Sequence, residues 1–219
     1  MRAMILAAGC GKRMGSLTEN TPKSLLRVGG HHLIEHTISH LEQANFREIV
    51  INISYFGEQI KAALGNGERY GVSIVYTEEK EPLETGGGIF NALSFLGNEP
   101  FLVLSSDIVT DYPLERLPRN PDKLAHLILV DNPIYHPQGD FSLNQGEIEM
   151  QGPHMLTFGN IGVYRPELFT SCQPGFFPLS AILFPAVRNA QITGEHYRGI
   201  WYNIGTAHDL AEINAAYIA

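Results

Sequence analysis

Between residues 9 and 23 the chain sets two glycines against a cluster of cations: Gly9-Cys10-Gly11-Lys12-Arg13, then Thr21-Pro22-Lys23. Glycines lack a Cβ, so backbone N–H groups there can approach an anion closely. Lys12 adds charge, and Arg13 adds a planar fork of donors that can grip phosphate oxygens. The pattern reads as a polyphosphate loop. It is neither of the two commonest kinds. The dinucleotide fingerprint needs a third glycine, and Gly15 comes one place late for it; the Walker spacing with Ser or Thr after Gly-Lys is absent. A carboxylate, Asp107, follows the apolar run Phe101-Leu102-Val103-Leu104. At the carboxyl end of a buried strand it suits Mg²⁺, which takes one or two carboxylates and completes its shell with phosphates and water.

These groups need a scaffold to hold them together. Residues 2–7 predict a buried opening strand, followed by a Gly- and polar-rich loop to about residue 30. Leu33, Ile34, Thr37, Ile38, Leu41 and Ala44 recur at helical spacing, predicting a helix over 32–44. Strands are predicted at Glu48–Ile53, Val72–Tyr76 and Phe101–Leu104, and helices at Glu58–Leu64 and Gly87–Leu96. This alternation implies a Rossmann-like, mainly parallel, right-handed α/β sheet with helices on both faces. After residue 111 the strand-like runs 125–130, 141–144 and 157–164 come closer together, implying a small antiparallel extension that walls one side of a cleft. Phe177–Val187 and Thr206–Ile218 predict the last helices. With no repeat, low-complexity tract or linker, residues 1–219 read as one domain with two lobes, about 1–111 and about 112–219.

Composition narrows the function. Fifteen Lys and Arg stand against 23 Asp and Glu, a formal net charge of −8. That argues against general affinity for nucleic acid or an anionic membrane. Phosphates must therefore be held by a few placed cations and backbone dipoles. Cys10 and Cys172 make neither a disulfide framework nor a zinc cluster. Ile5-Leu6-Ala7-Ala8-Gly9-Cys10 imitates a lipoprotein cleavage site, but too few residues precede it for a basic region and an apolar stretch. No run approaches the roughly 20 apolar residues of a membrane span. The expected location is the cytoplasm.

Taken with Thr21-Pro22-Lys23, the segment Leu6-Ala7-Ala8-Gly9-Cys10-Gly11-Lys12-Arg13-Met14 resembles the signature of sugar-1-phosphate nucleotidyltransferases. The resemblance recurs at Glu81-Pro82-Leu83-Glu84-Thr85-Gly86-Gly87-Gly88, at Ser106-Asp107 and at Trp201-Tyr202-Asn203-Ile204-Gly205-Thr206. Within that family, Asp131-Asn132-Pro133, His136-Pro137-Gln138-Gly139-Asp140-Phe141 and the short length look most like N-acetylmuramate-1-phosphate uridylyltransferases. The resemblance implies the nucleotide-diphospho-sugar transferase fold, with a nucleotide-binding lobe first and a sugar-binding lobe after it. It also implies Mg²⁺ as cofactor, and an NTP and a sugar 1-phosphate as small-molecule partners of a monomer or weak homo-oligomer. The reaction places a nucleoside monophosphate on the sugar phosphate and releases pyrophosphate. The product nucleotide sugar would serve peptidoglycan recycling.

The same resemblance implies individual roles. Arg13 and Lys23 are the catalytic cations, Arg13 facing the leaving group and Lys23 the sugar phosphate. Ala7, Ala8, Gly9, Gly11, Lys12, Arg13 and Ser106 hold the nucleotide, with Glu79 at the base and Thr85 and Gly86 flanking it. Asp140 and Asn160 contact the sugar, with Gly139 and Gly162 allowing close approach. Asp107 and Asn203 bind the metal, and here the chain departs from the family, which usually carries an aspartate where Asn203 stands. A carboxamide offers an oxygen without charge, so a nucleotide-sugar sensing module is the non-enzyme alternative. The enzyme alternative is a GTP-dependent mannose- or heptose-1-phosphate guanylyltransferase, because a Glu79 carboxylate accepts from either uracil or guanine. Two features are set aside. His32, His36 and His40 share one helix face, expected to be exposed and without a carboxylate or cysteine to complete a metal site. Glu78, Glu81 and Glu84 are expected to be solvated loop charges.

Overall fold

The computed structural model describes the backbone of residues 1–218 and the side chains of residues 1–216. Strands in chain order are β1 (Ala3–Leu6), β2 (Arg27–Val28), β3 (His31–His32), β4 (Glu48–Ile53), β5 (Ser73–Glu78), β6 (Phe101–Ser105), β7 (Ile108–Thr110) and β8 (Ala125–Val130). They continue with β9 (Phe141–Asn144), β10 (Glu147–Glu149), β11 (Met155–Tyr164), β12 (Ile192–Tyr197) and β13 (Trp201–Asn203). The helices are α1 (Leu33–Gln43), α2 (Gly57–Leu64), α3 (Glu84–Leu96), α4 (Ser180–Arg188) and α5 (Ala207–Ile218). Among the described residues no helix is long and apolar enough to cross a membrane.

Nine strands form one sheet in the order β5-β4-β1-β6-β11-β8-β12-β10-β9. The half made of β5-β4-β1-β6 is parallel throughout. Strands β1, β4 and β6 are near-continuous apolar runs, as expected where both faces are covered, while the edge strand β5 carries exposed residues. Beyond β6 the sheet turns mixed: β11 runs antiparallel to both β6 and β8, and β12 is parallel to β8. The predicted extension is thus continuous with the main sheet.

Side-chain alternation along the strands divides the core. Ile5, Ile49 and Ile51 pack on one face beneath Ile34, Ile38 and Leu41 of α1. Met4, Val50 and Val103 pack on the other beneath Ile89, Ala92 and Leu96 of α3 and Leu183 and Ala186 of α4. Fully burying one such side chain contributes about 1.5–3 kcal/mol. A third, small cluster of Val28, Leu33, Ile204 and Ile213 anchors α5 over the β2–β3 hairpin.

Several boundaries differ from the sequence expectation. The stretch to residue 30 is built of tight helical turns, Lys12–Thr18 and Lys23–Leu25, and the β2–β3 hairpin rather than open loop. Helix α3 starts three residues earlier than expected, and α4 begins at Ser180 instead of Phe177. Strands β7, β10, β12 and β13 had no strong apolar signal, because they are short or carry polar residues such as Glu195, His196 and Asn203.

The histidine face is not exposed. His32 caps α1, its backbone N–H donating to Glu35 at 2.7 Å, and His36 Nε2 meets the Val28 carbonyl at 2.9 Å. His40 sits against the segment carrying Tyr112, and desolvation pulls its pKa below the ordinary value. No group of three or more His, Cys, Asp and Glu side chains that could hold a metal ion occurs among the described residues.

The three glycines that open α3 are a packing requirement. A Cβ on Gly86 would stand 2.6 Å from the Phe177 ring, and one on Gly87 would stand 2.2 Å from the Gly175 carbonyl oxygen. Gly87 also donates its N–H to the Phe177 carbonyl at 3.0 Å, so the two segments cannot simply separate. Gly87→Ala is expected to destabilise the fold by about 1–3 kcal/mol, the scale of overpacking. Urea unfolding checks it, and a midpoint equal to the natural protein's would show that the 173–178 segment yields freely.

Candidate functional site

The carboxyl ends of the parallel strands open onto a cavity of about 260 Å³. It is lined by Leu6 to Cys10 at the end of β1, by Lys23 and Ser24, by Asn52 near the end of β4 and Glu79 just after β5, by the Pro82–Thr85 region, and by Ser105 to Asp107. Open α/β sheets bind ligands in this place.

Its floor is a buried polar relay. Ala7 donates its N–H to Asn52 Oδ1 at 2.9 Å, and Asn52 Nδ2 donates to Glu79 Oε1 at 2.7 Å. Glu79 Oε2 accepts the Leu83 N–H at 3.0 Å. Asn52 and Glu79 are 4% and 6% exposed, so their pairings are obligatory. Gly88 belongs to the relay, since a Cβ there would lie 2.6 Å from Glu79 Oε1. Sequence reasoning missed Asn52, whose signal was an amide inside the apolar run Ile49-Val50-Ile51-Asn52-Ile53. Glu79 does line the cavity, but both its oxygens already accept hydrogen bonds from the protein.

Above the floor, Lys23 Nζ lies 2.5 Å from Asp107 Oδ2, both side chains largely buried. Pro22 holds the chain extended and Lys23 opens a helical turn, while Gly11 comes so close that a Cβ on it would touch the Lys23 Cβ at 3.1 Å. Gly11 has φ +61°, which glycine adopts without strain. The first loop and Lys23 are therefore one packed unit.

Asn203 reaches this group through the β7–β13 pair, where it stands opposite Ile108, and the Ile204 N–H donates to the Asp107 carbonyl at 2.9 Å. The Asn203 Oδ1 atom is buried and has no hydrogen-bond partner. Tyr135 reports on the same neighbourhood: desolvation raises its phenol, a hydrogen bond from Asn203 lowers it, and the charges of Asp209, Arg13 and Asp107 act on it as well. Arg13 lays its guanidinium against Gly205, where a Cβ would stand 3.3 Å from its terminal nitrogens. Gly205 and Thr206 donate their N–H groups to Asp209 at 2.9 and 2.7 Å, capping α5 beside it.

A second cavity, of about 350 Å³, shares Thr85 with the first and has Asn203, Asp140, His136 and Asn160 in its wall. Asn160 enters through a bulge in β11, where the register against β8 slips between Phe158 and Gly162 and Asn160 takes φ +55°. Bulges re-aim side chains in this way. Asp140 is braced on both oxygens, by His136 Nε2 at 3.0 Å and by the Phe158 N–H at 2.8 Å.

Not every expected residue reaches a cavity. Gly139 turns the chain with φ +65° against Asn132 and Leu156, Gly162 packs against Leu127 and Tyr164, and Gly86 packs against Phe177. All three serve close packing. Gly11, Lys12 and Arg13 lie outside the lining of the two cavities, Lys12 and Arg13 on the exposed side of the loop. Of the acidic loop residues, Glu78 pairs with Lys61, while Glu81 and Glu84 are exposed.

Residues 2–141 match the family described as Nucleotidyl transferase. An N-acetylmuramate alpha-1-phosphate uridylyltransferase from Neisseria meningitidis is 44% identical, with 98% of this chain and 97% of that protein covered. A protein of the same name from Caulobacter vibrioides is 28% identical over 93% of this chain and 91% of its own length. The structure of a UDP-glucose pyrophosphorylase complexed with UDP-glucose superposes with a TM-score of 0.79 at 18% identity, covering 99% of this chain and 98% of that one.

The relay yields a direct test. Asn52→Asp keeps an acceptor for the Ala7 N–H but sets a second carboxylate against Glu79. One of the two must then hold a proton, which raises the pair's apparent pKa in the folded state. Stability relative to the natural protein is expected to be least affected near pH 4–5, and to fall by about 2–4 kcal/mol toward pH 8 as that proton is lost. Thermal melts across this range check it; a pH-independent difference would break the relay argument.

Proposed function

The chain belongs to the nucleotidyl transferase family and is a sugar-1-phosphate nucleotidyltransferase, and we propose that it joins UTP to N-acetylmuramic acid 1-phosphate in the cytoplasm, releasing pyrophosphate as a step in peptidoglycan sugar recycling. The observation that carries the chemistry is the Lys23–Asp107 ion pair, set beside an unpartnered Asn203 oxygen where two cavities meet. The choice of uracil and muramate rests on the relative that is 44% identical over nearly its whole length.

Two anions must meet for the sugar phosphate oxygen to attack the α-phosphorus in line. Positioning and charge neutralisation are the whole of the task. The first cavity takes the nucleotide, with the backbone of Ala7, Ala8, Gly9 and Gly11 and with Ser106 along the phosphates and Lys12 on the outer side. Arg13, free to swing from Gly205, meets the β- and γ-phosphates as pyrophosphate departs. Lys23 gives up part of its bond to Asp107 and bridges the sugar phosphate to the α-phosphate. Glu79 and Thr85 border the base; with its oxygens committed to Asn52 and Leu83, Glu79 shapes that slot and offers the base only its remaining lone pairs. The second cavity takes the sugar, with Asn160 and Asp140 in its wall.

The donor set fits Mg²⁺: one carboxylate, Asp107, and one buried carbonyl oxygen, Asn203 Oδ1, with phosphate oxygens to complete the shell. When bound there it supplies charge neutralisation at the α-phosphate. Asn203 carries less charge than an aspartate would, so the protein should need more Mg²⁺ than a relative with the carboxylate.

Pyrophosphate release measured over four nucleoside triphosphates and the 1-phosphates of N-acetylmuramic acid, N-acetylglucosamine, glucose and mannose is expected to give the highest kcat/KM for UTP with N-acetylmuramic acid 1-phosphate. A lead for GTP with mannose 1-phosphate would refute the substrate assignment. Lys23→Ala is expected to lower kcat/KM by about 10²- to 10³-fold, the scale of one lost charge-stabilising donor. Asn203→Asp should lower the Mg²⁺ concentration for half-maximal rate on the order of tenfold, or ~1.4 kcal/mol.

A further inference from the structure

The second cavity joins two features that a plain hexose does not use. Phe141, Phe158, Leu183, Phe184 and Trp201 give it a broad apolar wall. Against that wall stands His136, the one lining residue, among those described, whose side chain can carry positive charge. Asp140 Oδ1 lies 3.0 Å from His136 Nε2, and Asp140 is itself pinned by the Phe158 N–H at 2.8 Å. The pairing fixes the ring with Nε2 on the carboxylate, and Nδ1 stands outside that bond. The first turn of α4, beginning at Ser180, lines the same cavity and brings the positive end of a nine-residue helix. An apolar wall with a braced imidazole and a helix N-terminus suits a ligand whose carboxylate sits close to methyl groups.

We propose that His136, held by Asp140, binds a carboxylate carried by the sugar, and so selects an acidic sugar 1-phosphate over neutral ones. The inference rests on the muramate reading above: the lactyl ether of that sugar is such a group, a carboxylate beside a methyl. On binding, His136 carries protons on both nitrogens, Nε2–H to Asp140 and Nδ1–H to the substrate. Asp140 acts through His136 and is a positioning residue. His136 acts on substrate selection rather than on the phosphoryl centre.

The test compares kcat/KM for N-acetylmuramic acid 1-phosphate with that for its lactyl carboxamide, which keeps the shape and removes the charge. The natural protein is expected to favour the acid by about 10- to 100-fold, the worth of a hydrogen bond to a charged group. In His136→Gln, shown to be folded by its thermal melt, that preference is expected to collapse toward unity. Equal kcat/KM for acid and carboxamide in the natural protein overturns the proposal while leaving the muramate reading intact, and it does so without any variant. An undiminished acid preference in His136→Gln also overturns it. Turnover of neither muramate compound, with brisk turnover of a neutral sugar 1-phosphate, instead refutes the substrate reading and the inference with it.

Discussion

The site depends on one buried relay: Ala7 N–H to Asn52, Asn52 to Glu79, and Leu83 N–H to Glu79. It adds side-chain bonds between the ends of three parallel strands, already joined by their backbone ladder, and the start of α3. Apolar packing is non-directional and tolerates small shifts, whereas a buried carboxylate and amide must find particular partners or lose several kcal/mol. The relay therefore fixes the loop after β1 against β4 and β5 more closely than apolar packing would. Its tightness also explains Gly88, where any side chain would displace Glu79.

The second cavity is held by a further set of constraints, centred on Asp111. Its Oδ1 accepts from the Tyr197 hydroxyl at 2.5 Å and from the Ile200 N–H at 2.7 Å, and the Thr110 hydroxyl donates to the Ile200 carbonyl at 2.6 Å. These bonds dock β13 onto β7 and bring Asn203 beside Asp107, 96 residues away in sequence. Trp201 extends the same clamp, its indole N–H donating to Gly159 in the β11 bulge at 2.9 Å. One short strand thus sets both the Asn203 oxygen and the bulge that carries Asn160.

What could be read from the sequence followed the strength of the physical signal. Strand β4 and helix α1 were legible because burial imposes continuous or periodic apolar residues, and the phosphate loop because glycine and cation spacing is itself chemical. Strand β13 was not, since it is three residues long and is held by pairing with the distant β7 and by bonds at Ile200 to Asp111 and Thr110, which no local pattern announces. The histidine face of α1 misled for a related reason: His36 and His40 are covered by β2 and by the segment after β7, contacts between distant parts of the chain. Asn52 showed only as an amide inside an apolar run, because its role exists only when β5 brings Glu79 alongside. Gly139 and Gly162 looked like room for a ligand and are instead room for neighbouring side chains and backbone.

Charge closes the argument. The molecule carries a net −8, yet its reaction gathers two polyanions. Lys12, Arg13 and Lys23 face that demand, and Asp107 already spends its charge on Lys23. An aspartate at 203 would add a second carboxylate beside Arg13 and Tyr135 before any substrate arrives. A neutral amide leaves the cleft more positive and so more attractive to a triphosphate.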